Sequence, residues 1–127
     1  MRILVVLVAI LGMLFCGCGE DDANDQLIGG ECATAEDCDD GNDDTPALDC
    51  ILDFKGGYCG RAACQNSAEC PEASLCADLE GSFYCFLQCT DKTQCNKNRT
   101  VDNESNCSSS VDPVEGGEQK LCIPPSG

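Results

Sequence analysis

The chain has no histidine and no tryptophan. Without imidazole, the usual general base for a serine or cysteine nucleophile is missing, and so is a common ligand of zinc. These absences point away from an enzyme. Aromatic residues are scarce: beyond the N-terminal apolar stretch only Phe54, Tyr58, Phe83, Tyr84 and Phe86 occur. Basic residues are few as well, seven against 23 acidic, for a net charge of −16. The acid is concentrated, since Glu20 to Asp53 carries thirteen carboxylates and no Lys or Arg. Such a segment repels phosphate, which excludes nucleic acid as an expected partner and leaves a solvated, extended stretch. The apolar run Ile3–Phe15 spans thirteen residues, short for a bilayer and the right length for the apolar core of a signal peptide.

What the chain has in abundance is cysteine, fourteen in 127 residues. A chain this poor in core-forming side chains does not offset its ordering entropy by apolar burial alone. Disulfides closing short loops supply roughly 3 kcal/mol each. They need an oxidising compartment outside the cytoplasm. Past Cys18 the cysteines fall into three fours: Cys32, Cys38, Cys50, Cys59; Cys64, Cys70, Cys76, Cys85; and Cys89, Cys95, Cys107, Cys122. Each four opens with two cysteines separated by five residues, and a Tyr directly precedes the fourth cysteine in the first two. The expectation is a small disulfide-rich fold: tandem cysteine-stapled modules with short β-hairpins and little regular secondary structure. The divisions are a signal segment 1–17, an acidic tether 18–31, and modules at 32–63, 64–88 and 89–127. Spacing alone does not choose among the three connectivities open to four cysteines.

Met1-Arg2 is a minimal positive start to the signal segment, and Phe15-Cys16-Gly17-Cys18 closes it. That ending resembles a bacterial lipobox, with small Gly17 before the cysteine that would be lipidated, although Phe15 stands where Leu is common. Parity agrees with it. Cleavage before Cys18 removes Cys16 and leaves an even twelve, whereas modification of Cys16 would strand Cys18. An ordinary secretory signal cut near Gly17 or Gly19 also leaves twelve, and would release the chain. The resemblance implies lipidation at Cys18, a lipid bilayer as partner through the N-terminal acyl anchor, and a place in the cell envelope at the outer membrane or surface. Gly19 to Glu31 would then hold the folded part away from anionic headgroups by charge repulsion.

Within the modules, Thr34, Ser67 and Asp91 are the expected caps of single helical turns ending at Cys38, Cys70 and Cys95. Gly56-Gly57 and Glu80-Gly81-Ser82 supply turns for hairpins whose second strands carry Tyr58-Cys59 and Phe83-Tyr84-Cys85. Asn96 to Asn106 and Ser108 to Gln119 are polar and interrupted by Pro113 and Gly116-Gly117, so mobile loops are expected there. Tyr58, Phe83 and Phe86 are the expected exposed aromatics and the first substitutions for a binding screen.

Asp37, Asp39, Asp40, Asp43 and Asp44 crowd a loop with Gly41 at a turn, the kind of oxygen-rich stretch that hard cations use. Their spacing does not fit the EF-hand template, and a solvated acidic loop is the expectation. The cysteine spacings do not suit zinc, and no metal or cofactor is expected. Lys55, at a hairpin turn, and Arg61, between modules, are the basic residues a protease inhibitor would present. Asn98, Asn103 and Asn106 open Asn-X-Ser/Thr matches, which matter only in a glycosylating host.

Two stretches carry family resemblances. Cys76-Ala-Asp-Leu-Glu-Gly-Ser-Phe-Tyr-Cys85 looks like the major hairpin of an EGF-like domain, with Gly-Ser-aromatic ahead of the fourth cysteine. Three residues then separate Cys85 from Cys89 where that family has one. Glu36-Asp-Cys-Asp-Asp-Gly-Asn42 resembles the core of the Myxococcus cysteine-rich repeat, a family of secreted and surface proteins. The whole chain is similar to short cysteine-rich lipoproteins of such bacteria, some with modules like the dickkopf cysteine-rich region. The EGF-like resemblance implies first-to-third and second-to-fourth pairing in each module: Cys32–Cys50, Cys38–Cys59, Cys64–Cys76, Cys70–Cys85, Cys89–Cys107 and Cys95–Cys122. The expected role is a non-enzymatic, surface-tethered binding or structural module with an unspecified protein partner, the alternative being a secreted disulfide-rich protease inhibitor.

Overall fold

A computed structural model describes residues 27–41 and 47–127. The signal segment, Cys18, most of the tether, Asp43 and Asp44 lie outside the described residues. Each repeat begins with one helical turn set by the same short pattern: cysteine, any residue, a capping residue, two more, an acceptor, cysteine. Thr34 precedes the 3-10 turn Ala35–Cys38, Asn66 precedes Ser67–Glu69, and Asp91 precedes the one-turn helix α1, Lys92–Cys95. The acceptor folds back onto the entering chain in all three. Asp37 Oδ2 accepts from Ala33 N at 2.8 Å and Thr34 N at 3.0 Å. Glu69 Oε2 accepts from Gln65 N and Asn66 N, and Gln94 Oε1 from Thr90 N and Asp91 N. This is the capping box, which satisfies amide groups that a helix start leaves bare. The second cap is Asn66 rather than Ser67: Asn66 Oδ1 accepts from Ala68 N at 3.0 Å. Turns this short do not persist alone, so the cysteines at their ends must fix them.

The other half of each repeat is an antiparallel hairpin. β1 (Asp49–Ile51) pairs with β2 (Tyr58–Gly60), β3 (Ser74–Leu79) with β4 (Ser82–Cys89), and β5 (Asn106–Ser108) with β6 (Lys120–Ile123). In each, the third and fourth cysteines stand directly opposite: Cys50 and Cys59, Cys76 and Cys85, Cys107 and Cys122. Opposite residues project from the same face of a sheet, so both sulfurs leave on one side. They bond not to each other but to the first and second cysteines around the helical turn. The six disulfides are Cys32–Cys50, Cys38–Cys59, Cys64–Cys76, Cys70–Cys85, Cys89–Cys107 and Cys95–Cys122. These are the pairs that the EGF-like resemblance implies. The fold is thus small and disulfide-rich, with short hairpins and little regular secondary structure.

Two turns show why glycine is needed. Glu80 (φ 53°) and Gly81 (φ 91°) form a two-residue connection with both residues left-handed, the geometry that matches strand twist. Gly57 (φ 72°) sits where any Cβ would lie 2.1 Å from the Cys32 carbonyl oxygen. The first repeat can therefore close only around a residue without a side chain.

The repeats do not form a string. β4 pairs with β3 along one edge and with β6 along the other, giving a four-stranded sheet ordered β3-β4-β6-β5. The expected boundary between the second and third modules falls inside β4. Packing crosses the boundaries too. One apolar cluster takes Ile51, Phe54 and Tyr58 from the first repeat, Ala77, Tyr84 and Phe86 from the second, and Val111 and Leu121 from the third. Its four rings meet edge-on or tilted, from 5.1 Å between the centroids of Phe54 and Tyr84 to 6.0 Å between Phe54 and Phe86. Such pairs contribute about 0.5–1.5 kcal/mol each beyond their buried area. Sulfur therefore shares the work with an apolar cluster that spans all three repeats. Tyr58 and Phe86 are fully buried, which removes them as exposed binding aromatics; Phe83 remains 38% exposed.

The two polar segments of the third repeat are exposed over most of their length but are anchored at several points besides their cysteines. Val111 is buried, Pro113 bridges to Ala77, and Val114 N donates to Cys76 O at 2.8 Å. Asn96 holds Ser105 on both sides of its peptide, through Oδ1 to Ser105 N and Nδ2 to Ser105 O.

Candidate functional site

All twelve cysteines of the three repeats are in disulfides, so none is a thiolate. The Sγ atoms of Cys32, Cys38 and Cys59 lie within 4.8 Å of one another, as do those of Cys64, Cys70 and Cys76, and of Cys89, Cys95 and Cys122. These trios arise because the two disulfides of each repeat stack together. Bonded sulfurs do not supply the anionic ligands zinc requires.

The acidic loop is partly committed elsewhere. Asp37 closes its capping box, and the two amide donors, Ala33 and Thr34, hold its pKa below the ordinary value. Asp39 Oδ1 accepts from Gly41 N at 2.9 Å. A cation taking Asp37 would have to disrupt the turn.

Lys55 and Arg61 are not presented as an inhibitor would present them. The Lys55 amide donates to Pro125 O and its carbonyl accepts from Arg99 Nη2 at 2.8 Å. The Arg61 carbonyl accepts from the buried Cys85 amide, while its guanidinium donates to Glu69 O and Ala47 O. A protease must reach the carbonyl after its anchor residue, and both carbonyls are occupied.

Arg99 is the residue that sequence reasoning missed. It is only 8% exposed, and its guanidinium donates to four backbone carbonyls. Nε reaches Asn103 O, Nη1 reaches Gly29 O and Gly57 O, and Nη2 reaches Lys55 O, at 2.6–3.2 Å. Burial lowers its pKa from the ordinary arginine value. Glu31 stands beside the clamp: burial would raise its pKa, but hydrogen bonds from Thr100 and Asn103 and the charge of Arg99 bring it below the ordinary value. The third repeat is thereby fastened to the first. No motif signals this, because the partners are main-chain oxygens distant in sequence.

Tyr58 makes the corresponding contact with the second repeat. Its hydroxyl accepts from Leu87 N at 3.2 Å and donates to Cys85 O at 3.3 Å, and burial pushes its pKa well above the ordinary phenol range. Of the three sequon asparagines, Asn103 packs against Gly56 and donates to Thr100 Oγ1; Asn98 and Asn106 are exposed.

A groove of about 480 Å³ runs along the junction of β4 and β6, lined by Cys89, Gln94, Glu118 and Lys120 among others. A second, open hollow touches Cys32, Leu52 and Gly57. Among the described residues no helix is long and apolar enough to cross a membrane.

Six disulfides in so short a chain define a small disulfide-rich protein of an extracytoplasmic or secreted setting. No protein-family model, curated protein or solved structure matches the chain.

Proposed function

We propose that the chain is a non-enzymatic lipoprotein, tethered to the cell envelope through Cys18 and displaying a rigid binding or structural module outside the cytoplasm. The observation that carries this reading is the set of six disulfides, which require an oxidising compartment. The lipobox-like Phe15-Cys16-Gly17-Cys18 and the acidic Gly19 to Glu31 stretch support an acyl anchor with a spacer. The clamp at Arg99 and the shared aromatic cluster support a rigid module, because they join repeats that single turns and hairpins would leave loose.

The test is intact mass and palmitate labelling of the mature chain, with Cys18→Ser as control. Label in the native chain, lost with release of the protein from membranes in the variant, is the expected result. An unlabelled chain recovered free in the medium would replace the tethered reading with a secreted one.

A further inference from the structure

Leu52 and Val101 are the most exposed large apolar side chains among the described residues, at 68% and 82%. Scattered singly, such residues are ordinary on a protein surface. These two come from the first and third repeats and stand at one hollow. It has a volume of about 620 Å³ and is lined by Glu31, Ala33, Leu52, Phe54 and Gly57 among others. Val101 is fixed at its edge from both sides. Thr100 Oγ1 donates to Glu31 Oε1 at 2.8 Å, and Lys55 Nζ donates to Asp102 O at 3.0 Å. Asn103 then packs against Gly56, which also lines the hollow. Phe54 belongs to the aromatic cluster shared by all three repeats, so the apolar interior reaches the surface here.

The charge around this apolar floor has one predominant sign. Glu31 is in the wall, Asp53 adjoins Leu52, and Asp102 adjoins Val101. Against them stand Lys55, whose ammonium holds the Asp102 carbonyl, and Arg99, whose guanidinium is committed to four carbonyls. A second copy of the chain would bring its own net charge of −16 to the contact, which disfavours self-association. An apolar floor with an acidic rim is complementary to an apolar group carried between cations.

We propose that this hollow docks a protein partner through one apolar side chain flanked by Lys or Arg. The apolar group seats against Leu52, Val101 and the ring of Phe54, and the flanking cations answer the carboxylates of Glu31 and Asp102. The first and third repeats build the surface jointly, so it exists only once the Arg99 clamp has brought them together. This docking rests on the binding role proposed above but not on the acyl anchor, so its failure leaves the palmitate test at Cys18 untouched.

The experiment titrates the whole oxidised chain, isotope-labelled and carrying Cys18→Ser so that no acyl group is attached, with end-capped pentapeptides. One has leucine between two pairs of lysines. A second has serine in place of the leucine, and a third has glutamate in place of the lysines. At low-millimolar peptide the lysine–leucine probe should shift the methyl resonances of Leu52 and Val101, and added salt should weaken it. Leu52→Ser and Val101→Ser, at exposed positions in different repeats, should each weaken binding about fivefold while the disulfides map as native. Equal binding of the serine or the glutamate peptide, shifts confined to another face, or no shift at all would overturn the proposal. Shifts at these methyls produced by phosphatidylcholine vesicles, or by higher protein concentration, instead of by the peptide would also overturn it, assigning the hollow to a lipid surface or a second copy.

Discussion

Arg99 and Gly57 meet across 42 residues of chain, the guanidinium Nη1 donating to the glycine carbonyl at 2.9 Å. The contact joins the third repeat to the tightest point of the first, where Gly57 also passes against Cys32. Among the described residues this buried cation has four main-chain acceptors and no directly bonded carboxylate, which makes it a neutral-partner clamp. Hydrogen bonds from charged donors of this kind are among the stronger ones.

Arg99→Met should therefore destabilise the oxidised protein by roughly 3 kcal/mol, since it leaves several carbonyls short of a donor. Arg99→Lys should recover only part of this, because an ammonium cannot reproduce the planar fork. Denaturant unfolding under non-reducing conditions measures both. A loss below about 0.5 kcal/mol, the scale of ordinary surface changes, would remove the clamp from the account.

Tyr58→Phe tests the corresponding link to the second repeat. The ring is retained while Leu87 N and Cys85 O lose their shared hydroxyl, so a cost of about 1–3 kcal/mol is expected. In the native protein, tyrosinate absorbance near the ordinary phenol range should lack the Tyr58 contribution, which appears only as the fold opens. Titration of Tyr58 in the ordinary phenol range, with the fold intact, would contradict its burial.

Acid should loosen the strap that runs from Val111 to Gly117. Glu115 accepts from Ser67 Oγ and Ser67 N, both at 2.6 Å, and these bonds hold its pKa below the ordinary 4.5. A carboxyl whose folded pKa is depressed binds protons more weakly in the native state. Its contribution is thus complete above the unfolded value and is lost as pH falls through the folded one. Asp37, below its ordinary 3.8, acts in the same direction at the first helical turn. Melting temperature should fall from pH 6 to pH 3, and Glu115→Gln should flatten the part of that fall arising from the strap. An identical pH profile in the variant would show that the contact has no energetic weight.

Gly57→Ala and Gly81→Ala should differ sharply although both residues have positive φ. At Gly81 a methyl group meets nothing within 4 Å, so only backbone strain of about 1–2 kcal/mol applies. At Gly57 the same methyl would stand 2.1 Å from the Cys32 oxygen. Disulfide mapping of refolded material should show native pairing for Gly81→Ala and a failure to recover Cys32–Cys50 for Gly57→Ala. Equal yields of native pairs would refute the close approach.

The covalent frame was legible in the sequence because cysteine, glycine and a short turn carry their geometry with them. Glu80-Gly81 announces a tight hairpin, and the resemblance around Cys76–Cys85 supplies a pairing rule that the spacing lacks. The second cap was misplaced by one residue, at Ser67 rather than Asn66, because both side chains can cap and only the acceptor at Glu69 sets the register. The exposure expected for Tyr58 and Phe86 failed for a different reason. In a short strand, alternation tells which residues share a face, but not whether that face meets water or a sister repeat. Arg99 left no trace at all, since backbone carbonyls have no residue type. The hydrogen bonds that Arg99 and Asn96 add to the polar segment around them are equally invisible in the sequence.

Strand β4 belongs to two hairpin systems at once, and this limits how the gene could be rearranged. A cut between Gln88 and Cys89 would divide a strand instead of a linker, leaving Cys89 opposite Lys120 in one fragment but parting Leu121 from its partner Gln88 in the other. The boundary that cysteine count draws between the second and third repeats is therefore not a seam in the fold, since both share β4.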